Sequence, residues 1–259
     1  MQIKVFQLNM WAGAKFPAIE SFLRNNDFDI LCFQEVAGPH TYCGNVKCEI
    51  DCFAKLQSVL GESYIGEIAI FSKFTSDPIN SFEGNAIFYK KSFSALNKNV
   101  LHLYDIDTPF PSEATSYEGM PRNVLHLKLQ QVGRNIDVLS THLAWARTSI
   151  EQPHQREQNL KLIEYMKTLE KPWIITGDFN INPNQPSILD LEKIGRNLIK
   201  ESNIPNTLDP LNHLAWDEIK PGFSVDYIFT SPDIKVEEFK VLDTQRLSDH
   251  FGLTASIEV

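Results

Sequence analysis

The chain has 259 residues, 33 of them acidic against 24 Lys and Arg, giving a formal net charge of -9. A hydrophobic share of 42% with 22% charged residues reads as an ordinary globular chain, and no apolar run nears the roughly 18 residues that a membrane span needs, which excludes an integral membrane protein. The acidic balance argues against a broad basic surface that tracks many phosphates by counterion release, and so favours a short or locally held substrate.

The length suits one large domain over 1–259, with no linker to divide it. The N-terminus, MQIKVFQLNMW, carries no leader pattern and enters a strand at once, so a cytoplasmic protein is expected unless a leader has been removed. Apolar alternation predicts that first strand over Ile3 to Asn9, a helix over Phe16 to Asn26, and a strand over Asp29 to Val36. A long irregular stretch at 38–50 precedes a helix over Asp51 to Leu60 and strands over Tyr64 to Phe71 and Asn85 to Lys90. A second irregular stretch, 104–121, leads to strands over Asn123 to Gln130 and Ile136 to Leu143. The clearest helix follows at His154 to Leu169, with Leu160, Ile163, Met166 and Leu169 as its expected buried stripe. Then come a strand over Trp173 to Thr176, a helix over Ser187 to Gly195, an irregular stretch at 203–220, and strands over Val225 to Thr230, Val236 to Leu242 and Gly252 to Ile257. Hairpin-like strand pairs with intervening helices imply an α+β layering, sheets covered by helices.

Four cysteines, Cys32, Cys43, Cys48 and Cys52, fall in the first fifth of the chain, and Cys32 lies inside an apolar strand pattern. His40, Cys43, Cys48 and Cys52 have the elements of a zinc knot but lack paired C-x-x-C spacing; reduced surface thiols, or one disulfide in an exported protein, are the plainer readings.

The chemistry concentrates where apolar strands end in polar residues. Asn9 follows KVFQL, Glu35 follows DILCFQ, His142 follows DVLST, Asp178 and Asn180 follow WIITG, Asp226 opens DYIF, and Asp249 and His250 precede GLTASI. A side chain there is rigidly held beside a loop opening, and the recurrence points to convergence on one site. Asp178 and Asn180, two apart in an extended segment, are expected on one side of the strand. A hard cation such as magnesium takes one or two carboxylates plus substrate phosphate, with Glu35 the first choice of ligand. Asp249 beside His250, with Asp226 as a second acid, fits a histidine fixed by a carboxylate and an acid that activates water near phosphorus.

QLNMW at 7–11, LCFQEV at 31–36, RNVLHLKL at 122–129, STHL at 140–143, GDFN at 177–180, VDYIF at 225–229 and SDH at 248–250 together resemble the endonuclease/exonuclease/phosphatase superfamily of metal-dependent phosphohydrolases, in order and over nearly the whole chain. The resemblance implies a four-layer α/β/β/α sandwich of two packed mixed sheets flanked by helices, with the site where strand ends of both sheets meet. It implies Mg2+, with Mn2+ as a substitute, held by Glu35 with Asn9 and Asp249. It makes Asp178 and Asn180 the groups that align the nucleophile and hold phosphoryl oxygens, with Asp226 helping metal or water. His250, buttressed by Asp249, would contact the scissile phosphate, and His142 would stabilise its charge or protonate the leaving oxygen. Arg122 would reach toward the phosphate. The run STHLAWARTSIEQPHQREQNL loosely resembles tyrosyl-DNA phosphodiesterases and related bacterial enzymes, with Arg156 and Gln158 matching their pattern.

A lone Glu35 would read as a solvated strand end, a lone Asn180 as a turn residue before INPNQP, and a lone His142 as a core histidine; in company, a site role outweighs each. His40, His102, His126, His154 and His213 have no such context and read as structural or surface. Trp11, Trp145 and Trp216 read as core more readily than as base-stacking residues, with Trp145 the best cleft candidate. The leading expectation is a metal-dependent phosphodiester hydrolase attacking in line with water, on nucleic acid as the partner of first choice, and a monomer. A sphingomyelinase-like phospholipid or inositol-phosphate hydrolase is the alternative, for which no amphipathic helix is visible; a catalytically silent binding module is the third reading.

Overall fold

The computed structural model describes residues 1–43, 46–73, 81–103, 120–146, 148, 150–214 and 222–259, with Cys43 in its backbone only. Alternation along the first strand, β1 (Gln2–Asn9), sets the plan. Phe6 and Leu8 join one buried cluster, while Ile3 and Val5, on the opposite face, join another. The first cluster lies under α1 (Phe16–Arg24) and α2 (Cys52–Leu60) and is built on aromatic contacts of Phe6 with Phe22, Phe28 and Phe33. The second runs between the two sheets and takes in helix residues Leu162, Ile163 and Met166.

The remaining strands are β2 (Ile30–Ala37), the short pair β3 (Tyr42–Cys43) and β4 (Val46–Lys47), β5 (Tyr64–Lys73), β6 (Phe82–Lys90), β7 (Ser94–His102), β8 (Asn123–Gln131), β9 (Arg134–His142), β10 (Trp173–Asp178), β11 (Arg196–Asn197), β12 (Asp226–Thr230), β13 (Lys235–Leu242) and β14 (Gly252–Glu258). Helices α3 (Pro153–Lys167), α4 (Pro186–Leu191) and α5 (Leu198–Glu201) complete the described elements. One six-stranded sheet runs β13-β14-β1-β2-β6-β5 and the other β11-β12-β10-β9-β8-β7. Each has a single parallel pair at its centre, β1 with β2 and β9 with β10, with antiparallel pairs outside it. A parallel pair needs a crossover, and α1 and α3 supply the two. The outcome is the mixed, helix-covered α/β/β/α sandwich that the sequence leads one to expect.

The strands predicted from alternation are present, with ends moved by a few residues. The edge strand β7 has no counterpart among them, because SALNKNVLH is exposed over most of its length and so shows no apolar face. The buried stripe of α3 is also corrected: Leu160 is 42% exposed, and the buried face is Gln155, Gln158, Asn159, Leu162, Ile163 and Met166. Its first turns bury amides because they satisfy loop backbone. Gln158 accepts from the Ala144 N–H, and Gln155 donates to the carbonyls of Ala144 and Asn180. No helix among the described residues is long and apolar enough to cross a membrane.

Candidate active site

On the face of β1 turned to the other sheet the order is Ile3, Val5, Gln7, Asn9, apolar at one end and polar at the other, and β2 repeats it with Ile30, Cys32 and Gln34. The polar end is stitched across the sandwich. Gln7 Nε2 donates to Gln34 Oε1 at 2.8 Å and to Asp226 Oδ1 at 3.1 Å, and Gln34 Nε2 donates to Ser140 Oγ on β9 at 3.0 Å. One residue further on, β2 breaks register against β6 between Phe33 and Val36, and Glu35 takes a left-handed φ of 51°. A bulge with a non-glycine residue in that region stores backbone strain of the kind found at functional sites, and it turns the Glu35 carboxylate out of the pleat.

Asn9 joins the two sheets' acids: its Nδ2 lies 3.0 Å from both Glu35 Oε1 and Asp178 Oδ2, while its Oδ1 accepts from the Trp11 N–H at 3.0 Å. Asp178 ends β10 opposite His142 of β9 and Asp226 of β12. The approach of β9 to β10 at this point requires glycine. A Cβ on Gly177 would sit 2.0 Å from the Thr141 carbonyl oxygen. Around Asp178 Oδ2 stand His142 Nε2 at 3.5 Å and His250 Nε2 at 3.8 Å. His250 Nδ1 meets Asp226 Oδ2 at 2.9 Å, and Thr207, fully buried, donates its hydroxyl to the same oxygen at 2.8 Å while accepting from the Val225 and Asp226 N–H groups.

These contacts correct two expectations. The carboxylate hydrogen-bonded to His250 is Asp226, not the adjacent Asp249; Asp249 instead accepts from Ser248 Oγ at 3.0 Å and lies grouped with His213 and His250. Asn180 does not share a strand face with Asp178: β10 ends at Asp178, and Asn180, at φ 52°, donates its N–H back to Asp178 Oδ1 and its Nδ2 to the Leu143 carbonyl. Arg122 Nε reaches that same carbonyl at 3.3 Å, and its guanidinium lies 5.0 Å from the Phe71 ring centroid; it forms no ion pair among the described residues.

The model of the Endonuclease/Exonuclease/phosphatase family matches residues 6–250. The chain belongs to this family. Its members are hydrolases of phosphoester bonds and generally depend on a divalent metal. Among solved structures, the family protein from Bacteroides vulgatus shares 18% identity at a TM-score of 0.74, over 100% of this chain and 99% of that one. The mannosyl-6-phosphatase of Bacteroides thetaiotaomicron shares 18% at 0.70, over 99% and 100%. D. rerio TDP2 complexed with a single-strand DNA product shares 15% at 0.69, over 100% and 99%. No curated protein sequence matches significantly.

In this family member, five carboxylates, Glu35, Glu83, Asp178, Asp226 and Asp249, crowd one end of the sandwich in groups with His142, His213 and His250. Burial first, then the charges of Glu83 and Asp249, push the Glu35 carboxyl up to about 8. Burial also pushes Asp178 up to about 7, with His250 pulling the other way and Asp226 adding to the rise. Glu83 and Asp249 are raised by burial too, against opposing pulls from Arg122 and His250. For His250, burial opposes the charge, but Asp226, Asp178 and Asp249 outweigh it and hold the imidazole well above its ordinary value. His142 falls well below, through burial and then the charges of Arg122 and His250. A cation fits this donor set: the five carboxylates offer hard oxygens, and Glu35 Oε2 is buried with no hydrogen-bond partner among the described residues.

Some residues of the site have no marker in the sequence reading. Glu83 of β6 groups with Glu35 and His142, and His213 packs edge-on to His250 at 5.9 Å between ring centroids. Gln7, Gln34 and Thr207 act through their hydrogen bonds. Other expectations resolve outward. Arg156 pairs with Asp190 and Ser187 on α4, while Gln158 pins the loop after His142. His126 is structural, held between Asp137 and the Tyr165 hydroxyl. Cys48 and Cys52 are buried rather than surface thiols, and among the described residues no group of three metal-ligating side chains includes a cysteine. Trp11 and Trp145 are half-buried; Trp216 and most of 104–121 lie outside the described residues.

Proposed function

We propose that the chain is a divalent-metal-dependent phosphodiester hydrolase that cleaves a P–O bond by in-line attack of water, on the phosphodiester of a short or terminal stretch of nucleic acid. The observation that carries this reading is the Asn9 amide, which ties Glu35 of one sheet to Asp178 of the other, with His250 Nε2 3.8 Å from the same Asp178 oxygen. Glu35 and Asp249, with Asn9 beside them, would hold Mg2+ or Mn2+. Such an ion neutralises charge on a phosphoryl oxygen.

The protein's own groups divide the remaining work. Asp178, with a carboxyl titrating near neutrality, is matched to taking a proton from the attacking water. Asp226, fixed by Thr207 and Gln7, orients His250, whose imidazolium offers Nε2 to the phosphate. Arg122, buried and without an ion pair among the described residues, supplies a second cation for phosphoryl oxygens, and the Asn180 amide keeps a second N–H for the same purpose. His142, neutral because burial and two cations suppress its charge, hydrogen-bonds the leaving oxygen. The net charge of -9 supports a locally held end over a long groove.

The test is a substrate panel with Mg2+, Mn2+ or chelator: single- and double-stranded DNA, abasic-site DNA, RNA, sphingomyelin, an activated diester and a sugar monophosphate, with Asp178→Ala and His250→Ala in parallel. Metal-dependent cleavage of a nucleic-acid diester, reduced about 10²- to 10⁴-fold in both variants, is expected. Turnover of the monoester or the phospholipid alone, or cleavage indifferent to chelator, refutes the reading.

A further inference from the structure

Outside the acids, Cys48 and Cys52 bring two buried thiols together. Their Sγ atoms lie 3.6 Å apart, both residues are buried, and Cys52 opens α2 behind the Asp51 cap. The thiols are wedged between the two segments that carry Asn9 and Glu35. Cys48 Sγ faces the Ile50 carbonyl at 3.1 Å and the carbonyl of Ala37, two residues past Glu35, at 3.8 Å. On the other side, the turn Trp11–Gly13 follows Asn9 and packs so tightly that a Cβ on Gly13 would fall 2.7 Å from Cys52 Sγ. The same turn supplies the Trp11 N–H that fixes the Asn9 side chain.

We infer that Cys48 and Cys52 are a redox pair that closes to an intramolecular disulfide by exchange with a low-molecular-weight disulfide, and that closure slows the site at Asn9 and Glu35. The Cys48 thiolate attacks one sulfur of the small disulfide, giving a mixed disulfide and one released thiolate; the Cys52 thiolate then displaces the second. Two protein thiols are oxidised, one small disulfide is reduced to two thiols, and the two protons go to the leaving thiolates. Cys48 is the first attacker: the Cys52 hydrogen bond lowers its thiol below the ordinary value, against the opposing effect of burial. Exchange proceeds through local opening of the β3–β4 hairpin, whose Tyr42 is exposed and which consists of two residues per strand. Closure must draw the sulfurs from 3.6 Å to about 2.05 Å, and a packed neighbourhood passes that movement to Gly13 and Ala37.

The effect on turnover rests on the hydrolase reading above; the cross-link does not. Full-length protein is incubated with oxidised glutathione, then digested and mapped by mass, beside Cys52→Ser and Cys43→Ser. A Cys48–Cys52 link, retained in Cys43→Ser and lost in Cys52→Ser, is expected, together with a diesterase rate at least 5-fold lower that dithiothreitol restores. A link through Cys43, no link, thiols protected by bound zinc, or an oxidised protein at full rate each overturn the inference. Absence of diesterase in the reduced protein would instead count against the hydrolase reading, and the mapped link would still decide the pair.

Discussion

Glu35→Gln separates the cost of the site from its use. The glutamine keeps the shape and the contact with Asn9 but removes a carboxyl that burial, Glu83 and Asp249 push from 4.5 up to about 8. In the unfolded chain that carboxyl ionises near 4.5, so the folded, metal-free state keeps a proton that the unfolded state has lost. Its contribution to stability is therefore complete below pH 4.5 and is lost as pH rises through about 8. At ~1.36 kcal/mol per pH unit, the interval amounts to an upper bound of about 5 kcal/mol, reduced in practice by water and cations entering the site. Asp178, raised to about 7, acts in the same sense. In urea titrations followed by tryptophan fluorescence with chelator present, the wild type should weaken by several kcal/mol between pH 5 and 8.5, and Glu35→Gln by distinctly less. Saturating Mg2+ should return about 2.7 kcal/mol to the wild type at 100 times Kd and nothing comparable to the variant. Equal pH slopes would refute the electrostatic crowding, and an equal response to Mg2+ would refute the assignment of Glu35 as ligand.

Other perturbations report on neighbouring parts of the design. Arg122→Ala should lower kcat/KM for the diester about 10- to 100-fold, the worth of one charge-assisted hydrogen bond to phosphate, and steady-state kinetics will read it. Thr207→Val removes a hydroxyl that serves Asp226 and two backbone N–H groups, so a loss of ~1–3 kcal/mol by urea denaturation is expected together with slower turnover. Gly177→Ala forces a methyl to within 2.0 Å of the Thr141 carbonyl oxygen and should cost about 3 kcal/mol; a variant as stable as the wild type would show that β9 and β10 do not need that approach.

How far the sequence carries such reasoning depends on whether a residue's neighbours are set by its own strand. Asn9, His142 and Asp178 are legible because each ends an apolar alternation, and the alternation fixes the direction of the side chain. Gln7 and Gln34 follow the same rule, on the same faces two residues from Asn9 and beside Glu35, yet an amide within an apolar run gives no sign of the partner it meets across the sandwich. Glu83 was hidden for a different reason. The alternation of its strand becomes apparent only from Asn85, two residues on, whereas β6 begins at Phe82. His213 and Thr207 lie in an irregular segment that only the tertiary fold brings to the site, through a bridge between Leu208 and His250 and the hydrogen bonds of Thr207 with Val225 and Asp226. The order of Asp249 and His250 was visible, but which acid supports the histidine was not, because that is decided by Thr207 and Gln7 from elsewhere in the chain.

The two sheets also explain why the site forms where it does. Each contains one parallel β-α-β crossover, and each crossover delivers a strand pair whose C-terminal ends carry the polar residues: Asn9 and Glu35 from the first, His142 and Asp178 from the second. Neither sheet alone assembles the acids, and the acids alone would drive the sheets apart. The amides of Gln7, Gln34 and Asn9 lie between them, donating to Asp226, Ser140 and Asp178 of the opposite sheet. Replacing such an amide by an apolar side chain would therefore remove donors from buried carboxylates while leaving the charges in place, so the polar layer works against the repulsion as well as setting the register of the sheets. A cation bound among the acids would relieve the same repulsion from within, which would make metal binding and tight apposition of the two sheets one coupled equilibrium.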